Sequence, residues 1–261
     1  MASSGTHTFP VLRFDKLDST NRFALTQAEK GAPSGTTVAA VQQTGGRGRL
    51  GRDFSSPPGG LYFSIILRPE IHSDRLGLLS LSAGLACTRV IEEVSGCSLM
   101  LKWPNDLYLE NRKLGGILCE SAAYSVREGR TPFFVAGIGI NVNTPLERFD
   151  PDLRDRVISL FSLQKREYDL EYIMLRITEN IMRYVKDPES GQQEIIAAWS
   201  KRDYLRGRRL RWHGPAALPV TGVGAGLLPD GRYLLCTENH GDVPVLGGTL
   251  TIFLDTQERS G

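Results

Sequence analysis

Cysteine is scarce in this chain of 261 residues: Cys87, Cys97, Cys119 and Cys236 are the four it has, and no two form a CxxC pair. Neither a disulfide framework nor a structural zinc site is expected, and a reduced, cytoplasmic setting fits. Histidine is equally sparse, and His7, His72, His213 and His240 lack the spacing of metal ligands. No run approaches the ~18 consecutive apolar residues that a membrane span needs. The first eight residues, Met1 to Thr8, have neither a basic nor an apolar stretch, so no secretory signal is read there. A charge excess is missing too. The 31 Lys and Arg stand against 29 Asp and Glu, a net charge of +2, which argues against a dedicated nucleic-acid binder. Internal repeats are absent.

What remains is ordinary globular composition, 41% hydrophobic and 23% charged, long enough for one large domain and a small second one. Two segments depart from the balance. Residues 43–52 (QTGGRGRLGR) hold three arginines and no acid, and residues 201–211 (KRDYLRGRRLR) hold six basic residues and one acid. Hydrophobic spacing predicts strands at Phe9–Phe14, Thr36–Val41, Leu61–Leu67, Leu99–Trp103, Leu107–Leu109, Lys113–Glu120 and Phe133–Asn141. Helical spacing covers Leu76–Val94, Leu170–Lys186 and Gln192–Lys201, and Asp18-Ser19-Thr20-Asn21 offers N-caps for a further helix. After Tyr204, strand-like pieces at Arg208–Trp212, Leu218–Val223, Arg232–Cys236 and Gly247–Leu254 alternate with glycine, proline and Asp-Gly turns. The expected fold is therefore an α/β domain followed by a small all-β barrel of ~55 residues.

Four segments carry chemistry-bearing residues. Gly46-Arg47-Gly48-Arg49-Leu50-Gly51-Arg52 has no Walker lysine, so it is no P-loop. Its glycines allow close backbone approach and its arginines can grip phosphate or carboxylate; a solvated loop or a contact to nucleic acid is the alternative. Lys102-Trp103-Pro104-Asn105-Asp106 runs from a strand into a proline turn, where Asn105 and Asp106 serve either a ligand or only the turn. Lys113-Leu114-Gly115-Gly116 puts a lysine ahead of two strand glycines, which reads as a close backbone approach or as a bulge beside a surface lysine. In Gly137-Ile138-Gly139-Ile140-Asn141, period two places the glycines and Asn141 on one face, open to a flat ligand or to a packed helix.

In order and spacing these segments, DSTN, QTGGRGRLGR, KWPNDLY, KLGGILCE and GIGINVN, resemble the biotin–protein ligase family over most of the first ~200 residues. The resemblance implies a mixed α/β catalytic domain related to class II aminoacyl-tRNA synthetases (residues 1–203) and an SH3-like barrel (residues 204–261). It implies biotin and ATP as substrates, Mg²⁺ carried by ATP, a biotinyl-AMP intermediate, and a biotin carboxyl carrier protein as acceptor. Biotin contacts carry over to Ser19, Thr20, Asn21, Gln43, Arg47, Gly48, Arg49, Lys113, Gly116 and Gly137. Adenylate contacts carry over to Arg47, Arg49, Arg52, Asn105, Lys113 and Asn141. Lys113, Arg49 and Asp106 are the implied catalytic residues, with no metal site built by protein alone and Asp106 as the one candidate Mg²⁺ ligand.

Two departures stand out. Many members have a basic residue and a tryptophan after the arginine loop, where this chain has Asp53 and Phe54. Some bacterial members carry glutamate and arginine in the last barrel strand, here Gly248-Thr249-Leu250-Thr251-Ile252-Phe253. A lipoate or octanoate ligase is the alternative on the same fold, but its Ser-Gly-Gly-Gly run is missing. A biotin-sensing repressor needs a winged helix-turn-helix of ~60 residues, and 17 residues precede Asp18, so DNA is not an expected partner. The motifs end by Asn143, so the barrel is expected to lie outside the chemical site and to serve carrier docking, helped by Arg206, Arg208 and Arg209. A homodimer is left open.

Overall fold

Alternation along two buried strands decides the architecture. In the computed structural model, which describes residues 9–69, 76–121, 132–186, 191–214, 218–238 and 241–253, the N-terminal part runs β1 (Val11–Leu17), α1 (Thr20–Glu29), β2 (Thr37–Gln43), β3 (Leu61–Leu67), α2 (Leu76–Ser95), β4 (Met100–Lys102), β5 (Asp106–Leu109), β6 (Arg112–Ser121) and β7 (Phe134–Ile140). These strands form one seven-stranded sheet in the order β1-β2-β3-β7-β6-β5-β4. Only β1 and β2 pair in parallel; the other pairs are antiparallel. Every residue of β3 and β7 is buried, so both faces of the sheet centre are covered. On β3, Leu61, Phe63, Ile65 and Leu67 enter the main core with α2. Ile66 points the other way, to Ala24 and Ala28 of α1. The same two-residue period sends Phe134, Ala136, Ile138 and Ile140 of β7 into the main core and Val135 toward α1.

The helices follow their sequence signals. Ser19 caps α1 by accepting from the Arg22 N–H, and Gly31 beyond its end takes a left-handed conformation. The short helices α3 (Pro151–Arg154) and α4 (Leu160–Gln164) precede α5 (Leu170–Lys186) and α6 (Gln192–Ser200). Neither short helix is long enough to show a period in the sequence. No described helix is long and apolar enough to cross a membrane.

The C-terminal strands β8 (Arg209–His213), β9 (Val220–Leu227), β10 (Tyr233–Thr237), β11 (Gly241–Val245) and β12 (Thr249–Ile252) form an antiparallel sheet in the order β11-β10-β9-β8-β12. Strand β11 was not expected from sequence. It contains Pro244, which an edge strand tolerates because the missing N–H faces away from the ladder. This sheet shares its core with the first domain: Leu210, Tyr233, Leu235, Val245 and Leu250 belong to the same apolar cluster as Trp103 and Tyr204. The Trp103 indole N–H donates to the Gly231 carbonyl at 3.1 Å, and its ring lies 5.8 Å from that of Tyr233.

At the junction, the buried Asp203 carboxylate accepts from the Leu205 N–H and from the Tyr233 hydroxyl, both at 2.9 Å. Burial pushes the Asp203 carboxyl above the usual carboxylate range, and these hydrogen bonds only partly oppose it. The folded chain therefore holds this proton more tightly than the unfolded chain. The group's stabilising contribution is full below its unfolded pKa of about 4 and is lost as pH rises through the raised value. Asp203→Asn should remove that loss. Urea melts across pH 4 to 8 should show the native protein falling relative to the variant over this window, by about 1.4 kcal/mol for each pKa unit between the two states. Parallel curves would contradict the assignment.

Candidate active site

Beyond the N-terminal end of α1 the sheet face is hollowed by three glycines, Gly116, Gly137 and Gly139. Cross-strand register aligns Tyr62, Gly139, Gly116, Asp106 and Lys102 in one row over β3, β7, β6, β5 and β4. A second row joins Ser64, Gly137 and Leu118. A Cβ at Gly137 would stand 1.9 Å from Asn21 Oδ1, and one at Gly139 would stand 2.5 Å from the Phe54 ring. Any side chain at either position would displace a wall of the cleft. The two readings left open for GIGIN thus meet: the glycines admit the end of α1, and with it they leave a slot.

One end of the slot is a polar cluster that holds its own geometry. The Gln43 carbonyl oxygen accepts from Thr20 N–H at 2.8 Å and from the Thr20 hydroxyl at 3.1 Å, while its amide donates to Ser56 at 2.9 Å. The Asn21 amide donates to the Leu118 carbonyl at 3.0 Å and to Glu120 at 2.8 Å. Ser64, fully buried, lies 2.8 Å from the Thr20 hydroxyl and 2.6 Å from Asn21 Oδ1. A hydroxyl buried without partners costs about 1–3 kcal/mol, so this cluster keeps its side chains in one arrangement. Sequence reading missed Ser56, Ser64 and Glu120. An isolated serine in the run LYFSIIL was the available signal.

The other end is cationic. Lys113 Nζ lies 2.7 Å from Asp106 Oδ1, with both side chains about a quarter to a third exposed, and 5.9 Å from the centre of the Phe54 ring. The arginine segment folds back on itself: Gly48 N–H donates to the Arg52 carbonyl at 2.7 Å, Phe54 N–H donates to the Gly46 carbonyl at 2.9 Å, and the backbones of Arg47 and Asp53 pair as an isolated antiparallel β-bridge. Leu50 and Gly51 at its tip are both left-handed. Burial lowers the Arg49 pKa, against the opposing charge of Asp106. Lys102 is lowered too, by burial first; Asp106 opposes this, and Lys113, Arg52 and Arg156 add to it.

Together these parts line one open cleft. Ser19, Thr20, Asn21, Gln43, Arg47, Gly48, Arg49, Arg52, Asn105, Asp106, Lys113, Gly116 and Gly137 all line it. Asn105 also serves its turn, donating its amide to the Ile117 carbonyl. Asn141 is a correction. It is 3% exposed and outside the lining, and its amide donates to the Ile158 carbonyl at 3.1 Å. The period-two argument fails there because β7 ends at Ile140, and alternation does not extend past a strand's end.

The expected separation of the C-terminal sheet from the chemical site is also corrected. Gly248, Thr249 and Leu250 line the same cleft, and Arg52 Nη2 donates to Thr249 Oγ1 at 3.1 Å. Sequence distance hid this, since 197 residues separate the two. Phe54, Lys102 and Trp103 also line the cleft.

A slot with fixed amides and hydroxyls at one end and cations at the other suits a flat polar molecule held beside a polyanion. The model of the biotin/lipoate A/B protein ligase family matches residues 13–141. The bifunctional ligase/repressor BirA of Bacillus subtilis is 37% identical over 237 residues, 88% of this chain and 70% of that one. The biotin–[acetyl-CoA-carboxylase] ligase of Mycobacterium tuberculosis is 31% identical over 234 residues, 87% of this chain and 83% of that one. Among solved structures, the biotin protein ligase of Aquifex aeolicus in complex with biotin and ATP superposes with a TM-score of 0.78 at 28% identity, covering 94% of this chain and 98% of that one. The chain belongs to the biotin/lipoate A/B protein ligase family, among its biotin–protein ligases.

The Arg52–Thr249 contact ties the arginine segment to β12. Thr249→Val should free that segment, increasing trypsin cleavage at Arg47, Arg49 and Arg52 by about 2–10-fold, the value of one exposed hydrogen bond. Thr249→Ser should cleave like the native chain. Equal rates in the valine variant would show that the contact does not hold the segment.

Proposed function

We propose that this chain activates biotin with ATP to biotinyl-5'-AMP and transfers the biotin to a lysine of a carboxylase's carrier domain. The observation that carries this reading is the union, in one cleft, of Thr20, Asn21 and Gln43, braced from behind by Ser64, with Lys113 and three arginines. A ureido ring has one acceptor and two donors. Fixed hydroxyl and amide groups of Ser19, Thr20, Asn21 and Gln43 match it, while Gly116 and Gly137 leave room for a flat bicycle.

In the first step a biotin carboxylate oxygen attacks the α-phosphorus of ATP, the bond to the bridging oxygen breaks, and pyrophosphate leaves with its electron pair. Two anions must approach, and negative charge collects on the phosphoryl oxygens, so fixed cations are the main requirement. Lys113, Arg47, Arg49 and Arg52 supply them. Asp106 orients Lys113 through their 2.7 Å contact. On this reading Mg²⁺ travels with the triphosphate, and Asp106, whose Oδ1 contacts Lys113, is the one candidate protein ligand for it. In the second step the acceptor lysine's amine attacks the mixed anhydride and AMP leaves. The arginine segment, closed over the cleft, keeps water from the anhydride. On this reading residues 1–203 carry the chemistry, and residues 204–261 complete the cleft wall and the surface where the carrier docks.

Biotin-dependent exchange of pyrophosphate into ATP tests the assignment, with lipoate and octanoate as controls. Exchange that requires either of the controls instead would replace it with a lipoate-type ligase. Lys113→Ala should lower exchange by about 10²–10³-fold, equivalent to roughly 2.7–4 kcal/mol. The melting temperature should barely change, because a pair this exposed contributes about 0–1 kcal/mol. Near-native exchange in the folded variant would remove Lys113 from the mechanism. Arg49→Gly should keep the fold and release biotinyl-AMP, so that bystander proteins become biotinylated. Tighter retention of the adenylate would contradict the closing role.

A further inference from the structure

Lys102 lines the cleft, yet neither the biotin end nor the arginine segment accounts for it. We propose that Lys102 binds the β- and γ-phosphates of ATP and then the departing pyrophosphate. The inference rests on the ligase reading above.

Three observations carry it. The first is position. Residues paired directly across strands point to the same face, and Gly139, Gly116, Asp106 and Lys102 are so paired. The biotin cluster sits over β3 and β7 beside α1, and Lys113 and Gly116 lie on β6. Lys102 is two strands farther on, about 10 Å at the usual spacing. In an in-line displacement the leaving oxygen departs opposite the attacking one. A carboxylate arriving from the β3–β7 side therefore expels pyrophosphate toward β5 and β4.

The second is charge. Lys113 is paired with Asp106 at 2.7 Å, whereas Lys102, across the strand pair from Asp106, makes no ion pair within 4.0 Å among the described residues. Its ammonium is half-buried, attracted by Asp106 and repelled by Lys113, Arg52 and Arg156. An anion bound among them would relieve that repulsion.

The third is support. Lys102 Nζ lies 5.4 Å from the centre of the Tyr108 ring, which stacks on Tyr204 at 4.5 Å. The neighbouring Leu101 exchanges backbone hydrogen bonds with Arg202 and Tyr204, at 2.7 and 2.9 Å. A three-residue edge strand thereby becomes a fixed mount for the ammonium.

Steady-state pyrophosphate exchange in the full chain separates this role from a structural one. Lys102→Gln should raise KM for ATP and for pyrophosphate by about tenfold or more, as loss of one charged hydrogen-bond donor predicts. KM for biotin should stay within about twofold, and transfer from synthetic biotinyl-AMP to the carrier lysine should run at the native rate. Lys102→Arg should recover much of the ATP affinity. Calorimetry with inorganic pyrophosphate alone should show weaker binding to the glutamine variant at an unchanged melting temperature. An unchanged KM for ATP would overturn the proposal. So would a parallel rise in both KM values with slowed transfer, which marks a general loss of cleft shape. Absence of biotin-dependent exchange in the native chain would instead overturn the ligase reading, and this inference with it.

Discussion

The structure depends on a strict division of labour between the two faces of β3 and β7. One face must be apolar throughout, because α2 and the main core lie against it. The other is apolar only as far as α1 reaches and then turns to Ser64, Gly137 and Gly139. Had the second face continued in large apolar residues, α1 would pack along its whole length and no slot would form. Removing side chains at the two glycines lets Asn21 and Phe54 approach the backbone more closely than a Cβ permits. The binding site is the place where packing stops.

Polar order within that slot comes from mutual saturation. Gln43, Thr20, Ser64 and Asn21 engage one another before any ligand arrives. A preorganised set of donors and acceptors loses less entropy on binding than a mobile one. The cationic end works on the opposite principle. Arg49 and Lys102 are held partly desolvated, and burial lowers both pKa values. That disfavours the charged forms in the empty cleft and makes a polyanion the natural counterpart.

The C-terminal sheet belongs to this arrangement. Its apolar residues merge with the main core, Trp103 and Asp203 tie it across the junction, and Thr249 reaches the arginine segment. A sheet of that size is marginal by itself, and the contact that packs it against the larger domain also walls the cleft.

Local pattern in the chain was enough for most of the elements. Leu61–Leu67 and Leu170–Lys186 match their strand and helix residue for residue, since periodicity and flanking turns are short-range signals. Pairing and position were another matter. The sequence placed glycines, arginines and lysines in segments up to a hundred residues apart, and resemblance to a family supplied their common purpose. Only the tertiary structure put Lys102, Asp106 and Gly116 in one row and brought Thr249 to Arg52. It also turned Asn141 away, onto the Ile158 carbonyl. Spacing along a chain reports which face a residue takes within its own element. Which face of another element it meets is decided by strand register and helix packing, and those depend on the whole core at once.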